Sequence, residues 1–218
     1  MLDKKSRRQI VKTLGNAVDG LVADLYSEPV DGVSTIQEPE ITSRLCQRLE
    51  DHLDNRQVGD YTFRVIAQSL PDRGPQSMEK LIGADLFVSI SLEGVDGFDK
   101  GIFVQAKYDR NFDRKELKDA CRRMREHVSA EGVYVWIYEP KGVKVISSHQ
   151  VDQLQENNLR DVRSRSSEGF FGRVIDCYAG SKAWGIPNGG DRRKAVATKL
   201  REARARSIVD INLKKQRP

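Results

Sequence analysis

A chain of 218 residues is long enough for one sizeable hydrophobic core with appendages. Its content of 38% hydrophobic and 32% charged residues is typical of a soluble globular protein and argues against an intrinsically disordered chain. No apolar run approaches the ~20 residues needed to cross a bilayer. The N-terminus lacks the hydrophobic core of a signal peptide, so the cytoplasm is the expected location.

The net charge of +5 is unevenly distributed along the chain. Residues 191–218 contain ten Lys or Arg and three acids, a local charge of +7, which leaves −2 for residues 1–190. A basic segment of this kind can attract a polyanion, although the same composition also suits a solvated helix face. Cys46, Cys121 and Cys177 are far apart and lack a CxxC spacing, so reduced thiols are expected and a zinc site is not.

Two amphipathic helices are predicted near the start of the chain. Residues 6–26 and 39–54 each place aliphatic side chains at intervals of three and four, and Pro39 suits the first turn of the second helix. On that helical wheel Glu38 lies over the buried face, whereas Glu40 points away from it. Glu38 is therefore predicted to reach the protein interior, although a first-turn acid often only complements the helix dipole.

The middle of the chain is predicted to form strands around a single helix. β-branched and aromatic residues alternate with polar ones or form short apolar runs between turn-rich connections. The helix is predicted over 113–128, with an Asp cap. The predicted strands are 61–70, 82–91, 101–107 and the two arms of a hairpin within 132–148.

The last third of the chain predicts less regular structure. A short helix is expected to begin near 149–160, residues 161–190 are rich in Gly and aromatic residues and read as irregular, and a basic helix is expected over 191–209. This order of elements predicts an α/β protein with a mixed central β-sheet flanked by helices, and with helical extensions at both ends.

Polar side chains lie at the ends of the two central strands. Asp85 opens the first strand, and Gln105 and Lys107 close the second, on one face because side chains alternate. The Asp85 carboxylate, the Gln105 amide oxygen and the Ala106 backbone carbonyl are hard oxygen ligands of the kind that Mg²⁺ prefers. A bound metal neutralises phosphoryl charge and lowers the pKa of water, and Lys107 can orient that water or stabilise the phosphate. Glu38 would add a second carboxylate.

The segments EPEITSRL, GAD and QAK place an acid at a helix start, an Asp at a strand start and a QxK at the end of the next strand. This series resembles the PD-(D/E)xK nuclease superfamily over residues 38–136. QAK is similar to the QxK of Mrr-type restriction nucleases, and EPEITSRL is similar to the first helix of archaeal Holliday junction resolvases, with the metal-binding Glu falling on Glu38. No Pro precedes Asp85, and Gln105 stands in place of an acid.

The resemblance implies a restriction-endonuclease-like core and a DNA endonuclease that depends on Mg²⁺ or Mn²⁺, with Asp85 as central ligand and Lys107 as catalytic lysine. It further implies a role in restriction or phage defence, acting as a homodimer or beside a partner ATPase. The chain then divides into a helical extension (1–34), a nuclease-like core (35–160), an irregular segment packing on the core (161–190) and a basic helix and tail (191–218).

Other charged residues are secondary candidates. Glu40 and Glu79 could add metal ligands, although a solvated acid is an equally good interpretation of either. Several basic residues could contact phosphates, although surface cations usually do nothing specific. The predicted DNA-binding residues are Lys100, Arg110, Arg114, Arg192, Arg193 and Lys194.

Two other functions remain open from the sequence. Because Gln105 removes one negative charge, the chain could be a catalytically inactive member of the same fold that binds DNA or serves in an assembly. A structural adaptor is the other alternative, associating through its terminal helices. It would leave the apolar stripe of a terminal helix such as residues 6–26 exposed.

Asp85 and Lys107 also have an interpretation without a metal. Asp85 could cap a turn, and Lys107 could protect the edge of a strand from pairing with another chain.

Overall fold

The computed structural model places the described residues in a mixed β-sheet with helices on both faces, which confirms the predicted α/β class. The restriction-endonuclease-like assignment of that sheet stays a prediction. Two candidate residues, Glu79 and Arg110, lie outside the described residues. The described residues are 2–27, 37–70, 84–94, 97–108, 112–155, 159 and 162–216.

The predicted helices of the first two thirds of the chain form close to their expected bounds. Asp113 caps one of them by accepting the Glu116 N–H, and Pro39 lies in the first turn of another. Among the described residues, no helix is long and apolar enough to span a membrane. The helices are α1 (Lys4–Ser27), α2 (Glu38–Leu53), α3 (Arg114–His127), α4 (Ser148–Asp152), α5 (Ser167–Ile175) and α6 (Arg192–Ala203).

The sheet has eight strands within the described residues, in the order β1-β2-β8-β3-β4-β5-β6-β7. The chain's last strand, β8, lies between β2 and β3, antiparallel to the first and parallel to the second. β3 and β4 form the predicted antiparallel hairpin, and β5 runs parallel to β4. The strands are β1 (Gln57–Val58), β2 (Tyr61–Ser69), β3 (Leu86–Leu92), β4 (Phe98–Tyr108), β5 (Val133–Glu139), β6 (Gly142–Ser147), β7 (Arg165–Ser166) and β8 (Ser207–Lys215).

Two hydrophobic cores form, one on each face of the sheet. Helices α1, α2 and α5 cover what we call the α2 face, and α3, α4 and α6 cover the α6 face. Along β4, Val104 and Ala106 pack in the first core and Phe103 in the second, as strand alternation requires. Gln105 and Lys107 therefore originate on the α6 face.

Helix α1 is fixed to the body of the protein rather than extended from it. Its stripe from Ile10 to Leu25 is buried against the α2 face of the sheet and α5. Gly15 permits the closest approach, because a Cβ atom there would lie 2.8 Å from the backbone of Glu168 in α5. The exposed apolar stripe that an adaptor would need on residues 6–26 is not found.

The prediction of a basic helix over 191–209 is wrong beyond residue 203, since α6 ends there and β8 follows. β8 is central in the sheet, so both of its faces are covered. Its polar Asp210 is fully buried, and its carboxylate is paired with Arg192 at 2.6 Å. A buried charge persists only with such a partner. Polar residues at alternate positions otherwise favour a solvent-exposed face, so the sequence does not reveal this strand.

Residues 161–190 are also more regular than predicted. α5 begins after Ser166, whose hydroxyl accepts the Gly169 N–H, and buries Phe170 and Phe171. Both rings lie against Trp136 of β5. Of the two glycines in α5, Gly172 faces α1, where an added Cβ would lie 3.3 Å from the Arg7 guanidinium.

Candidate active site

The candidate site lies at one edge of the sheet, where β3 begins, β4 ends and α2 begins. Asp85 immediately precedes β3, and its backbone is held from both sides. Its N–H donates to the Val104 carbonyl of β4 at 3.0 Å, and its carbonyl accepts the Ser207 N–H of β8 at 3.0 Å. The position of this carboxylate is therefore set by three strands.

The side chains of Asp85 and Gln105 are directly opposite each other across β3 and β4. The pairing of Leu86 with Val104, continued by one residue, sets this register. The side chains are 4% and 7% exposed, and the Gln105 Nε2 donates to the Asp85 Oδ2. The same Oδ2 accepts the Ala106 N–H at 2.8 Å. Two donors thus satisfy one buried carboxylate oxygen.

Glu38 and Lys107 form the second half of the site. Glu38 is the first residue of α2, and its Oε2 lies 3.2 Å from the Lys107 Nζ, while its Oε1 accepts the Tyr108 N–H at 2.8 Å. Both side chains of the ion pair are largely buried, at 22% and 17% exposed. The helical-wheel preference for Glu38 over Glu40 agrees with this placement.

The charge on Lys107 is stabilised by its surroundings. Burial alone disfavours the charged amine, but Glu38 and then Asp85 outweigh that effect, and the pKa of Lys107 lies above its ordinary value. Lys107 is therefore a cation at neutral pH. It can donate hydrogen bonds to an anion or to water, but it is not available as a general base.

Thr42 and Tyr138, which the sequence does not single out, support the start of α2, and the Tyr108 ring lies next to Tyr138. The Thr42 hydroxyl donates to the Glu38 carbonyl at 2.9 Å and lies 2.8 Å from the Tyr138 hydroxyl. Burial, followed by the charge of Glu38, raises the pKa of Tyr108 to about 12, so this phenol is neutral beside the site. A buried Thr–Tyr pair of this kind could not be recognised from residue spacing, since it joins α2 to β5.

The site has the donor atoms of a Mg²⁺ site, with one amide in place of an acid. The Gln105 Nε2 that contacts Asp85 also lies 3.5 Å from the Ala106 carbonyl oxygen. A carboxamide NH₂ thus occupies the position between two oxygens where a cation would bind. Rotation about the last side-chain bond would exchange it for Oε1 and complete a set of three oxygens. The described residues contain no cluster of three or more His, Cys, Asp or Glu able to hold a metal.

Several predicted residues lie elsewhere. Glu40 pairs with Arg44 one turn along α2, at 2.5 Å, and does not join the site. The prediction that Lys100 binds DNA is wrong, because this side chain is 2% exposed and donates to the Ala179 carbonyl at 2.9 Å. Burial lowers the pKa of Lys100. Lys100 lies near the start of the long central strand β4, and the segment after α5 covers it and excludes solvent.

The basic residues at the start of α6 lie at the opposite edge of the sheet from Asp85. The DNA-binding prediction for Arg192 is wrong, since its guanidinium is committed to Asp210 and to the Ser91 hydroxyl at 2.7 Å. Arg193 is exposed and pairs with Glu50 at 3.2 Å, and Lys194 is exposed. Arg114 is half-buried at the start of α3, the helix that follows β4 along the chain.

The fold and site therefore define an α/β protein with a largely buried acid–amide–lysine cluster at one sheet edge. No protein-family model, curated protein or solved structure that was compared with this chain matches it.

Proposed function

We propose that this chain is a metal-dependent DNA endonuclease of the PD-(D/E)xK kind. The observation that supports this function is the convergence of Glu38, Asp85, Gln105 and Lys107 from α2, β3 and β4 at one edge of the sheet. They come from three separate segments of the chain, and the opposite charges of Glu38 and Lys107 meet there in a largely buried setting. Such clusters are more typical of catalytic sites than of surface ion pairs.

Lys107 has the role of a fixed cation in this proposal. Its amine is held by Glu38, and Glu38 is held in turn by the Tyr108 N–H. A phosphodiester at the site would receive hydrogen bonds from this amine, which stabilises negative charge as it develops on the phosphoryl oxygens. The buried Thr42 and Tyr138 hydroxyls keep Glu38 in place for that purpose.

Asp85, the Gln105 Oε1 and the Ala106 carbonyl would hold Mg²⁺ or Mn²⁺, with Glu38 as a further carboxylate. When bound, the metal supplies charge neutralisation and a water of lowered pKa. The chain's own contribution is rigidity, because the Asp85 backbone is bonded to both neighbouring strands and Gln105 is confined opposite it.

The substrate in this proposal is DNA in the cytoplasm, cut by a homodimer or beside a partner protein, with restriction or phage defence as the biological setting. Positive charge that could attract DNA lies near the site, because the parallel pairing of β8 with β3 sets Arg204 and Arg206 at the same edge as Asp85. Electrostatic binding of this kind weakens steeply with salt.

Plasmid cleavage tests the proposal. Supercoiled plasmid is incubated with the purified chain in Mg²⁺ or Mn²⁺, and wild type is compared with Asp85→Ala and Lys107→Ala. The exposed Arg122→Ala on α3 is the matched control. We expect nicking by wild type and the control, and losses of at least 100-fold in the two site variants. Equal nicking by all four proteins would identify a contaminant and refute the proposal.

A second candidate function is a catalytically inactive protein of the same kind that binds DNA without cutting it. The observation in its favour is the Gln105 NH₂, which already donates to the Asp85 carboxylate and so satisfies the site without metal. It predicts DNA binding that is indifferent to Mg²⁺ and no cleavage of any DNA form. Cleavage that depends on Asp85 would exclude it.

A further inference from the structure

The link between α6 and β8 is a short turn with an arginine on each side of a buried alanine. Arg204 is exposed and adopts the left-handed conformation, with φ 48° and ψ 34°. Ala205 is fully buried, and Arg206 is half-buried. Residues 204–206 are called the arginine turn below.

The arginine turn is fixed to the same sheet edge as the candidate site. The Arg206 carbonyl accepts the Leu70 N–H of the β2 end at 2.9 Å, and the next residue, Ser207, donates its N–H to the Asp85 carbonyl at 3.0 Å. β3 and β8 run parallel with Leu86 opposite Ser207. Continued by one residue, this register sets Arg206 beside Asp85.

Strand alternation places Arg206 on the face that carries the site. The Ser207 side chain lies on the α2 side of the sheet, where its hydroxyl is 2.9 Å from the Ser69 hydroxyl, and Ile208 packs in the core of the α6 face. Arg206 therefore originates on the α6 face, as Asp85 and Gln105 do. Arg204 is two residues away, so its Cα lies within about 7 Å of that of Arg206.

The net charge of the site indicates why arginines at this edge would help to bind a phosphate. Among the described residues that meet at the site, Glu38 and Asp85 contribute two negative charges and Lys107 one positive charge, so these three groups together repel a phosphate. The exposed Arg204 guanidinium at the same edge offsets that net negative charge. Arginine also matches phosphate oxygens in bidentate geometry, which lysine cannot do.

The left-handed backbone conformation of Arg204 also supports a role for its side chain. Gly, or sometimes Asn, is the usual residue at a left-handed helix C-terminus, because a Cβ atom disfavours that conformation. Arg204 donates its N–H to the Arg201 carbonyl at 3.2 Å, and its cation complements the helix dipole. Glycine would make the same turn at a lower backbone cost, so an arginine at this position favours a role for its side chain.

We propose that the arginine turn binds the phosphate backbone of a nucleic acid and positions it at Asp85 and Lys107. The inference rests on the proposed function for its substrate class. It differs from that function in assigning the contact to residues 204 and 206, at the end of α6, rather than to the basic residues at its start.

Equilibrium binding of a fluorescein-labelled DNA duplex, followed by anisotropy over a series of salt concentrations in EDTA, tests the proposal. The informative variant is Arg204→Gly, which keeps the left-handed turn and removes only the side chain. We expect at least a 5-fold weaker affinity and a salt slope reduced by about 1, as for one lost phosphate contact. The melting temperature should be unchanged or higher.

Arg206→Gln should weaken binding similarly, and Arg206→Lys should restore only part of it. Because Arg206 is half-buried, circular dichroism and the melting temperature establish that each variant is folded. The matched control is Arg8→Gln on α1, an equal loss of charge at an exposed residue outside the site edge. It should retain wild-type affinity and salt slope.

The outcomes separate this inference from the proposed function. Wild-type binding with unchanged affinity in Arg204→Gly and Arg206→Gln would refute the arginine turn and leave the nuclease proposal standing. Selective loss in those variants supports the turn even if plasmid is not cut. A wild-type protein that binds neither duplex nor single-stranded DNA would refute both.

Discussion

The Lys107 amine lies 3.2 Å from the Glu38 carboxylate, and this ion pair joins the end of β4 to the start of α2. Because Glu38 also accepts the Tyr108 N–H, its carboxylate is held by consecutive residues of one strand. The ion pair connects Lys107, a cation that could bind a phosphate, to the helix that fixes the position of the amine. The contributions of this ion pair to stability and to function can be measured separately.

The ion pair predicts a loss of stability at alkaline pH. The folded-state pKa of Lys107 is raised, so its stabilising effect is fully present below the unfolded value of about 10.4 and is lost as the pH rises through the higher folded value. Urea unfolding across this range should show a decline that is smaller in Glu38→Gln. At neutral pH the same substitution should cost about 1 kcal/mol. An identical alkaline decline in both proteins would contradict the assignment.

Gln105→Glu should make the stability of the folded protein depend on a bound metal. The new carboxylate would face Asp85 and would remove the donor that Asp85 now uses, so we expect the metal-free protein to lose about 1–3 kcal/mol. Mg²⁺ should restore that loss, since the site would then have one more anionic ligand. Thermal unfolding with and without Mg²⁺ measures both effects. Gln105→Ala is the control, and it should not gain a response to Mg²⁺.

Two adjacent arginines should differ sharply in their effect on stability. Arg192→Ala would leave the fully buried Asp210 without its cation and should cost about 3–5 kcal/mol. Arg193→Ala removes an exposed side chain paired with Glu50 and should change stability by no more than about 1 kcal/mol. Chemical denaturation of the two variants provides the comparison. Similar costs would contradict the buried position of Asp210.

The two glycines of α1 should respond in opposite directions to alanine. At Gly20 nothing lies within 4 Å of an added Cβ, so Gly20→Ala should stabilise by up to about 1 kcal/mol through helix propensity. At Gly15 the added atom would lie 2.8 Å from the Glu168 backbone, and Gly15→Ala should destabilise the protein because α1 and α5 must separate. Thermal melts of the two variants are sufficient. Stabilisation by both would mean that the helices are not in contact there.

The part of the candidate site that the sequence predicts is the part built from short-range pairing. Asp85 and Gln105 lie on strands joined by one hairpin, so alternation and register together bring them opposite each other. Glu38 could be chosen over Glu40 because a helical wheel distinguishes the two. Lys100 shows where this reasoning ends, because a lysine near the start of a strand gives no sign that the segment around Ala179 will cover it.

By itself, the sequence determines the α/β class, most of the helices and strands, and the acid–amide–lysine set, because hydrophobic periodicity and cross-strand alternation are local properties. Only the tertiary structure places β8 between β2 and β3, with Arg206 beside Asp85 as a consequence. In that position β8 carries the fully buried Asp210, whose charge is paired with Arg192. A charged residue can be buried at the centre of a sheet only when a side chain from another element pairs with it. The residue pattern of the strand itself does not predict that partner.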